Sequence, residues 1–174
     1  MIGIYAFADA SSQYSTTTTT SSSSIGDITG DFISNNVTVN SNVYGGGLIG
    51  NYVYASSYYS SSSFSSSSTI GDITGDFISN SITTRYDNIY GGGLIGNYVY
   101  ADASSHSSSS SFTIGDINSN FNNNTVKLTG TSTQIVTSGV IGNYATGNNT
   151  KATIKSISGT FENNSVIKGS GYAT

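Results

Sequence analysis

Hydrophobic and polar residues alternate along this chain over short stretches. Ile28, Gly30 and Phe32 fall on one side and Thr29 and Asp31 on the other, while Val37 and Val39 alternate with Thr38 and Asn40. A period of two is the mark of a half-buried strand. The phase breaks between Ile25 and Ile28, which places a bend at Gly26–Asp27. No window carries an apolar stripe of period 3.6, and Gly, Ser, Thr and Asn are weak helix formers. The pattern predicts an all-β chain of short strands joined by Gly and Asn turns.

The strands come in copies. IGDITGDFISN at 25–35 returns unchanged at 70–80, and YGGGLIGNYVYA at 44–55 returns at 90–101. The dipeptide Ile-Gly divides this repeat further. It stands at Ile2, Ile25, Ile49, Ile70, Ile95, Ile114 and Ile141, with an eighth, degenerate mark at Ile154. Spacings average about 22 residues, the size of one coil in a stacked strand architecture. The expectation is one domain spanning 1–174, a parallel β-helix (β-solenoid) of about eight coils of ~22 residues, with repeat boundaries near 25, 70, 114 and 154. At a strand spacing of ~4.8 Å such a stack is roughly 35–40 Å long.

Stacking turns equivalent positions into rows. With one Ile-Gly per coil, the position after it reads Asp27, Asn51, Asp72, Asn97, Asp116, Asn143. This predicts a single polar ladder of alternating acid and amide, in which each Asn separates two carboxylates that would otherwise repel. Tyr5, Tyr52, Tyr98 and Tyr144 share another register and predict an aromatic ladder. Such a stack contributes about 0.5–1.5 kcal/mol per ring pair beyond area burial.

Each repeat also carries Phe-x-x-Asn: Phe32–Asn35, Phe77–Asn80, Phe121–Asn124 and Phe161–Asn164. A glycine run and aliphatics follow as Gly45-Gly46-Gly47-Leu48 and Gly91-Gly92-Gly93-Leu94, and in weaker form as Ser138-Gly139-Val140-Ile141. This resembles the paired FxxN and GGA-[ILV] motifs in the passenger repeats of polymorphic outer-membrane autotransporter adhesins, with Gly47 and Gly93 standing where that pattern has Ala. The resemblance covers nearly the whole chain outside its Ser tracts. It implies a right-handed parallel β-helix, export to the bacterial cell surface, and a mostly adhesive role.

Composition narrows the function. Charged residues are 8% and Cys and Pro are absent, which leaves no disulfide and no thiolate metal site. A pI near 4.4 disfavours nucleic acid. No apolar run approaches the ~18 residues of a membrane span. Asp27/Asp31 and Asp72/Asp76 match neither a calcium-roll nor an EF-hand spacing. His106 is the only His and Arg85 the only Arg, so no acid–base constellation is expected, and neither enzyme activity nor a cofactor. Ser/Thr-rich segments at 11–24, 56–69 and 104–111 are expected on the outer surface, where O-glycans could attach. Sequons at Asn36, Asn123, Asn148 and Asn163 read as turn residues.

The two ends complement one another. MIGIYAFADASS at 1–12 aligns with LIGNYVYADASS at 94–105, and Thr174 followed by Met1 restores both motif and coil spacing. Residues 1–116 hold eight acids and one Arg, residues 117–174 four Lys and one Glu. A head-to-tail contact that does not close produces a filament. The expected role is a structural subunit of an extracellular bacterial fibre whose partners are copies of itself. Its assembly interface would be Met1, Ile2 and Ile4 against Phe161, Val166, Ile167, Tyr172 and Thr174. The alternative is an adhesive passenger segment of an autotransporter that binds a host surface or glycans.

Overall fold

The computed structural model describes residues 1–10, 18–57, 63–85, 88–103, 108–129, 139–147 and 149–168. All regular structure among them is strand. The first pass of the chain contributes β1 (Ile2–Ala10), β2 (Thr18–Ile25), β3 (Ile28–Thr29), β4 (Phe32–Ile33), β5 (Asn36–Val39) and β6 (Val43–Gly45). The second contributes β7 (Ile49–Ser57), β8 (Ser63–Ile70), β9 (Ile73–Thr74), β10 (Phe77–Ile78), β11 (Ser81–Thr84) and β12 (Ile89–Gly91). The third has β13 (Ile95–Ala103), β14 (Ser108–Asn118), β15 (Phe121–Asn122) and β16 (Thr125–Leu128). The fourth has β17 (Ile141–Gly147), β18 (Thr150–Ser158), β19 (Phe161–Glu162) and β20 (Ser165–Lys168).

Among the described residues every pairing is parallel and joins the same element of successive passes. One sheet runs β1-β7-β13-β17, a second β4-β10-β15-β19, a third β5-β11-β16-β20, and a fourth pairs β6 with β12. The fifth sheet runs β2-β8-β14-β9-β3, with β18 on the far side of β14. The identical copies explain the registers: Ile49 faces Ile95 and Tyr52 faces Tyr98 across β7 and β13, and Phe32 faces Phe77 across β4 and β10.

The repeating unit is therefore not the expected ~22 residues. Ile2, Ile49, Ile95 and Ile141 stack in one sheet, and Ile25, Ile70, Ile114 and Ile154 in another. Stacked partners lie 40 to 46 residues apart in the polar rows. Each stacked unit thus contains two Ile-Gly marks, and four units are present where about eight were expected. The two marks differ locally. After Ile49 the strand runs straight on, so Asn51 points inward with Ile49 and Val53, and all three are buried. After Ile25 the chain leaves the strand and resumes at Ile28, so Asp27 turns out to solvent while Ile28 goes in.

The core collects one side chain per pass from each row. Ile49 and Ile95, Ile70 and Ile114, Phe77 and Phe121, Leu48 and Leu94 are buried in one cluster. Val43, Ile89, Val126 and Leu128 form a smaller one. The Ser tracts depart from their expected surface position only in part: residues 20–24 of β2 are exposed or half-buried, whereas every second serine of the inner repeats is buried. In β8, Ser66 and Ser68 are buried while Ser65 and Ser67 face outward, and Ser110 stacks on Ser66 inside. Period-two alternation holds even where every residue is serine, because the pleat points each second hydroxyl inward.

Candidate assembly faces and side-chain ladders

The Phe-x-x-Asn motif builds the most regular row. Phe32, Phe77, Phe121 and Phe161 stack with ring centroids 4.8, 4.8 and 4.7 Å apart and planes within 12°. Two residues on, Ser34, Ser79, Asn123 and Asn163 take φ of 52 to 55°, a left-handed step that turns the chain at the motif's Asn. Asn80 and Asn124 are buried there. The Asn80 Nδ2 donates back to the Phe32 carbonyl at 2.7 Å and forward to Asn124 Oδ1 at 3.0 Å. Its backbone N–H donates to the same Oδ1 at 2.9 Å. Asn124 repeats this toward Phe77 and Asn164, and Asn35 donates to Asn80 Oδ1. The row has a polarity, with amide donors pointing toward the following repeat at every step.

The expected single Asp/Asn ladder is two ladders. Asn51, Asn97 and Asn143 form an inner one, linked by Asn51 Nδ2 to Asn97 Oδ1 at 3.5 Å and Asn97 Nδ2 to Asn143 Oδ1 at 2.6 Å. In the first repeat this register holds Ile4. Asp27, Asp72 and Asp116 form an exposed one, closed by Ser156. Carboxylates therefore do stand on carboxylates, and the alternation argument fails. The Asp72 N–H donates to Asp27 Oδ1 at 2.9 Å and the Asp116 N–H to Asp72 Oδ1 at 2.8 Å, so the backbone supplies the positive ends that an interposed amide was expected to give. A parallel row holds Asp31 and Asp76, then Asn120, whose Nδ2 adds a 3.0 Å bond to Asp76 Oδ1. Asp72→Asn should reproduce that arrangement and remove two like-charge neighbours. Its melting temperature should rise by about 1–3 °C at low salt, with the gain shrinking in concentrated NaCl. Paired thermal melts at the two salt levels check it; a drop at low salt would show that the carboxylate's bond to the Asp116 N–H outweighs the repulsion. Among the described residues no group of three or more His, Asp or Glu is placed to hold a metal ion.

The tyrosines line the outer side of the first sheet. Tyr52 stacks on Tyr98 at 5.0 Å and Tyr98 on Tyr144 at 5.2 Å, with planes within 13°. Tyr5 shares their register in the backbone, but its side chain lies outside the described residues. Beside this row run Tyr54 on Tyr100 at 5.1 Å and Tyr44 on Tyr90 at 5.3 Å. Tyr44 meets Tyr98 edge-on at 4.8 Å. The sequence reading missed these two flanking rows, although their equal offsets in the copied stretch were visible. Burial first, and then the surrounding tyrosines Tyr52, Tyr144, Tyr44 and Tyr90, push the Tyr98 pKa far above its ordinary value. Raised in the fold, it favours the folded state below the unfolded value of about 10 and withdraws that support as pH climbs beyond it. Stability should fall above about pH 10, and less steeply in Tyr98→Phe; identical alkaline profiles in a urea titration series would contradict this.

Among the described residues, the first and last repeats are less covered than the middle ones. Phe161 is 50%, Val166 44% and Ile157 47% exposed, whereas Phe121, Val126 and Ile117 in the same rows are buried to within 1%. At the opposite end Met1 is 84% exposed, and Ile2, Phe32 and Val37 are only partly covered. Of the expected interface, Met1, Ile2, Phe161, Val166 and Ile167 lie on these two end faces, while Tyr172 and Thr174 and the side chain of Ile4 lie outside the described residues. A groove of about 390 Å³ opens beside Met1, Ile2, Gly3, Tyr44 and Tyr52. No helix among the described residues is long and apolar enough to cross a membrane. Comparison with known protein families, with curated proteins and with solved structures finds no match.

Proposed function

We propose that the chain is a non-enzymatic structural subunit, a right-handed parallel β-helix that extends by stacking the last repeat of one copy on the first repeat of the next in an extracellular fibre. The sheet orders support the helix, since four of the five sheets take one strand per pass in chain order, and in the fifth the long β14 pairs with both β8 and β9 of the pass before. The right hand follows from the strong chirality of parallel crossovers. The observation that carries the assembly is that rows fully buried in the middle repeats are half-exposed at Phe161, Val166 and Ile157 in the last repeat and partly exposed at Ile2, Phe32 and Val37 in the first.

The ends also fit in register and polarity. Continuing each row by one step sets Phe161 beneath Phe32 and Val166 beneath Val37 of the next copy. The asparagine row would send the N–H and Nδ2 of Asn164 to Asn35 Oδ1, and the next copy's Asn35 Nδ2 to the Phe161 carbonyl. The acidic rows would meet Ser156 and Thr160, so no carboxylate lands on another at the junction. Open strand edges of this kind pair readily. An excess of acid in the first part of the chain and of Lys in the last steers the encounter.

Purified chain should form unbranched fibres visible by negative stain. Ile2→Lys with Val166→Lys should abolish them by placing charges in both end rows, while the circular dichroism and melting of the middle repeats persist. A wild-type chain that sediments as a monomer at all concentrations sinks the fibre reading. The faces would then serve neighbouring repeats of a longer adhesive passenger, the second reading, which rests on the Phe-x-x-Asn rows.

A further inference from the structure

The outer tyrosine rows have a chemistry that neither stacking stability nor assembly requires. Tyr52, Tyr98 and Tyr144 hold their phenol rings nearly parallel at 5.0 and 5.2 Å, and Tyr54 and Tyr100 do so at 5.1 Å. The row of the Phe-x-x-Asn motif, buried at Phe77 and Phe121, uses Phe for the same geometry. Rings stacked this way cover one another's faces, so they offer little to a sugar, whose C–H groups need an open aromatic face. What they do present is a file of phenols in mutual contact, half-buried and so partly reached by solvent. The rest of the chain removes the competition for oxidants. It has thirteen Tyr, no Cys, no Trp and a single Met, so thiol and indole sinks are absent and the thioether is one exposed residue.

We propose that these rows are sites of oxidative coupling, at which a peroxidase using hydrogen peroxide joins tyrosines of successive repeats as dityrosine. Each of two neighbouring phenols gives up one electron and its hydroxyl proton to become a phenoxyl radical. The radicals couple through the ring carbons ortho to oxygen, forming one C–C bond. Both ortho hydrogens leave as protons and both phenol oxygens regain theirs as the rings become aromatic again. Two tyrosines and one H2O2 give one dityrosine and two H2O, and each link leaves the chain lighter by two hydrogens. The parallel register is what selects the pairs: ring contacts at about 5 Å join Tyr52 to Tyr98, Tyr98 to Tyr144 and Tyr54 to Tyr100. Bond closure requires one of the two half-buried rings to tilt out of the parallel stack. Each link would staple one pass of the chain to the next, across 46 residues. Such a staple reduces the freedom of the unfolded chain in the way a disulfide does, in a protein that has no cysteine.

The test uses the full chain with a haem peroxidase and hydrogen peroxide, in buffer and in concentrated urea. In buffer, dityrosine fluorescence should appear in monomers as well as in any assemblies. Intact mass should fall in steps of two hydrogens, and digestion should release cross-linked peptides joining 52 to 98, 98 to 144 and 54 to 100. Melting temperature should rise with the number of links. Tyr98→Phe, which keeps the stack, should lose both links to 52 and 144 and retain the one between 54 and 100. The same set of pairs in urea as in buffer, links found only between molecules, or an unchanged yield in Tyr98→Phe would each overturn the proposal. Because the expected pairs lie within one chain, the outcome does not depend on whether copies stack into fibres.

Discussion

Replacing Asn124 by Ala should destabilise the protein by roughly 2–6 kcal/mol, because at least two buried partners are left unpaired at about 1–3 kcal/mol each. Asn124 Nδ2 is 2.7 Å from the Phe77 carbonyl, and its Oδ1 accepts both the Asn80 N–H and the Asn80 Nδ2. All of this is inside, where water cannot replace the amide. Asn164→Ala removes the equivalent group from the half-exposed last repeat, and there the cost should be about 1–2 kcal/mol. Urea titrations of the two variants measure the difference. Equal losses would mean that the row is no stronger in the interior than at its end, and a loss under about 1 kcal/mol for Asn124→Ala would remove the asparagine ladder from the stabilising elements of this fold.

Gly96→Ala should prevent stable folding, with a cost of at least about 3–5 kcal/mol. A Cβ at Gly96 would sit 2.6 Å from the Gly45 carbonyl oxygen and 2.9 Å from the Gly92 Cα, and it would press on the Gly92 nitrogen. These are backbone atoms on two sides, one from the glycine run just before β13 and one from the end of β6, so neither can swing aside. Gly45 and Gly91 have φ of 79° and 99°, which lets the glycine run fold over the start of the next strand. The same close approach explains why glycine stands at 47 where the resembling pattern has alanine: a Cβ there would lie 2.6 Å from the Gly93 carbonyl oxygen. Gly26→Ala is the control, with nothing within 4 Å of its added carbon, and should change stability by no more than about 0.5 kcal/mol. Circular dichroism and soluble yield of the two variants decide the matter; a folded Gly96→Ala would show that the run tolerates a wider spacing than its geometry implies.

The side chains alone determined that this chain makes strands and that its copies stand beside one another. Period-two alternation at Ile28–Phe32 and Val37–Val39 permits little else, and an exact copy pairs best with itself, since each Phe, Tyr or Asn then meets a partner of its own shape. Phe-x-x-Asn was legible as a motif, and the equal offsets of Tyr52, Tyr98 and Tyr144 were legible as a row, because those features are carried by residue type and spacing. The length of the stacked unit was not legible. Ile-Gly occurs twice in each unit, and spacing along one dimension does not separate two marks on one pass from two marks on successive passes. Only the tertiary structure made that distinction, through the phase of burial: period two continues past Ile49 to Asn51 and Val53, whereas past Ile70 and Ile114 the next inward residue comes three positions on, at Ile73 and Ile117. That difference sent Asn51 and Asn97 inward and Asp27 and Asp72 outward, and split one expected ladder into two. It also set which hydroxyls of the serine tracts are buried, for a run of identical residues carries no hydrophobic phase of its own, and the side that faces the core is chosen by the pleat of neighbours such as Ile70 and Phe112.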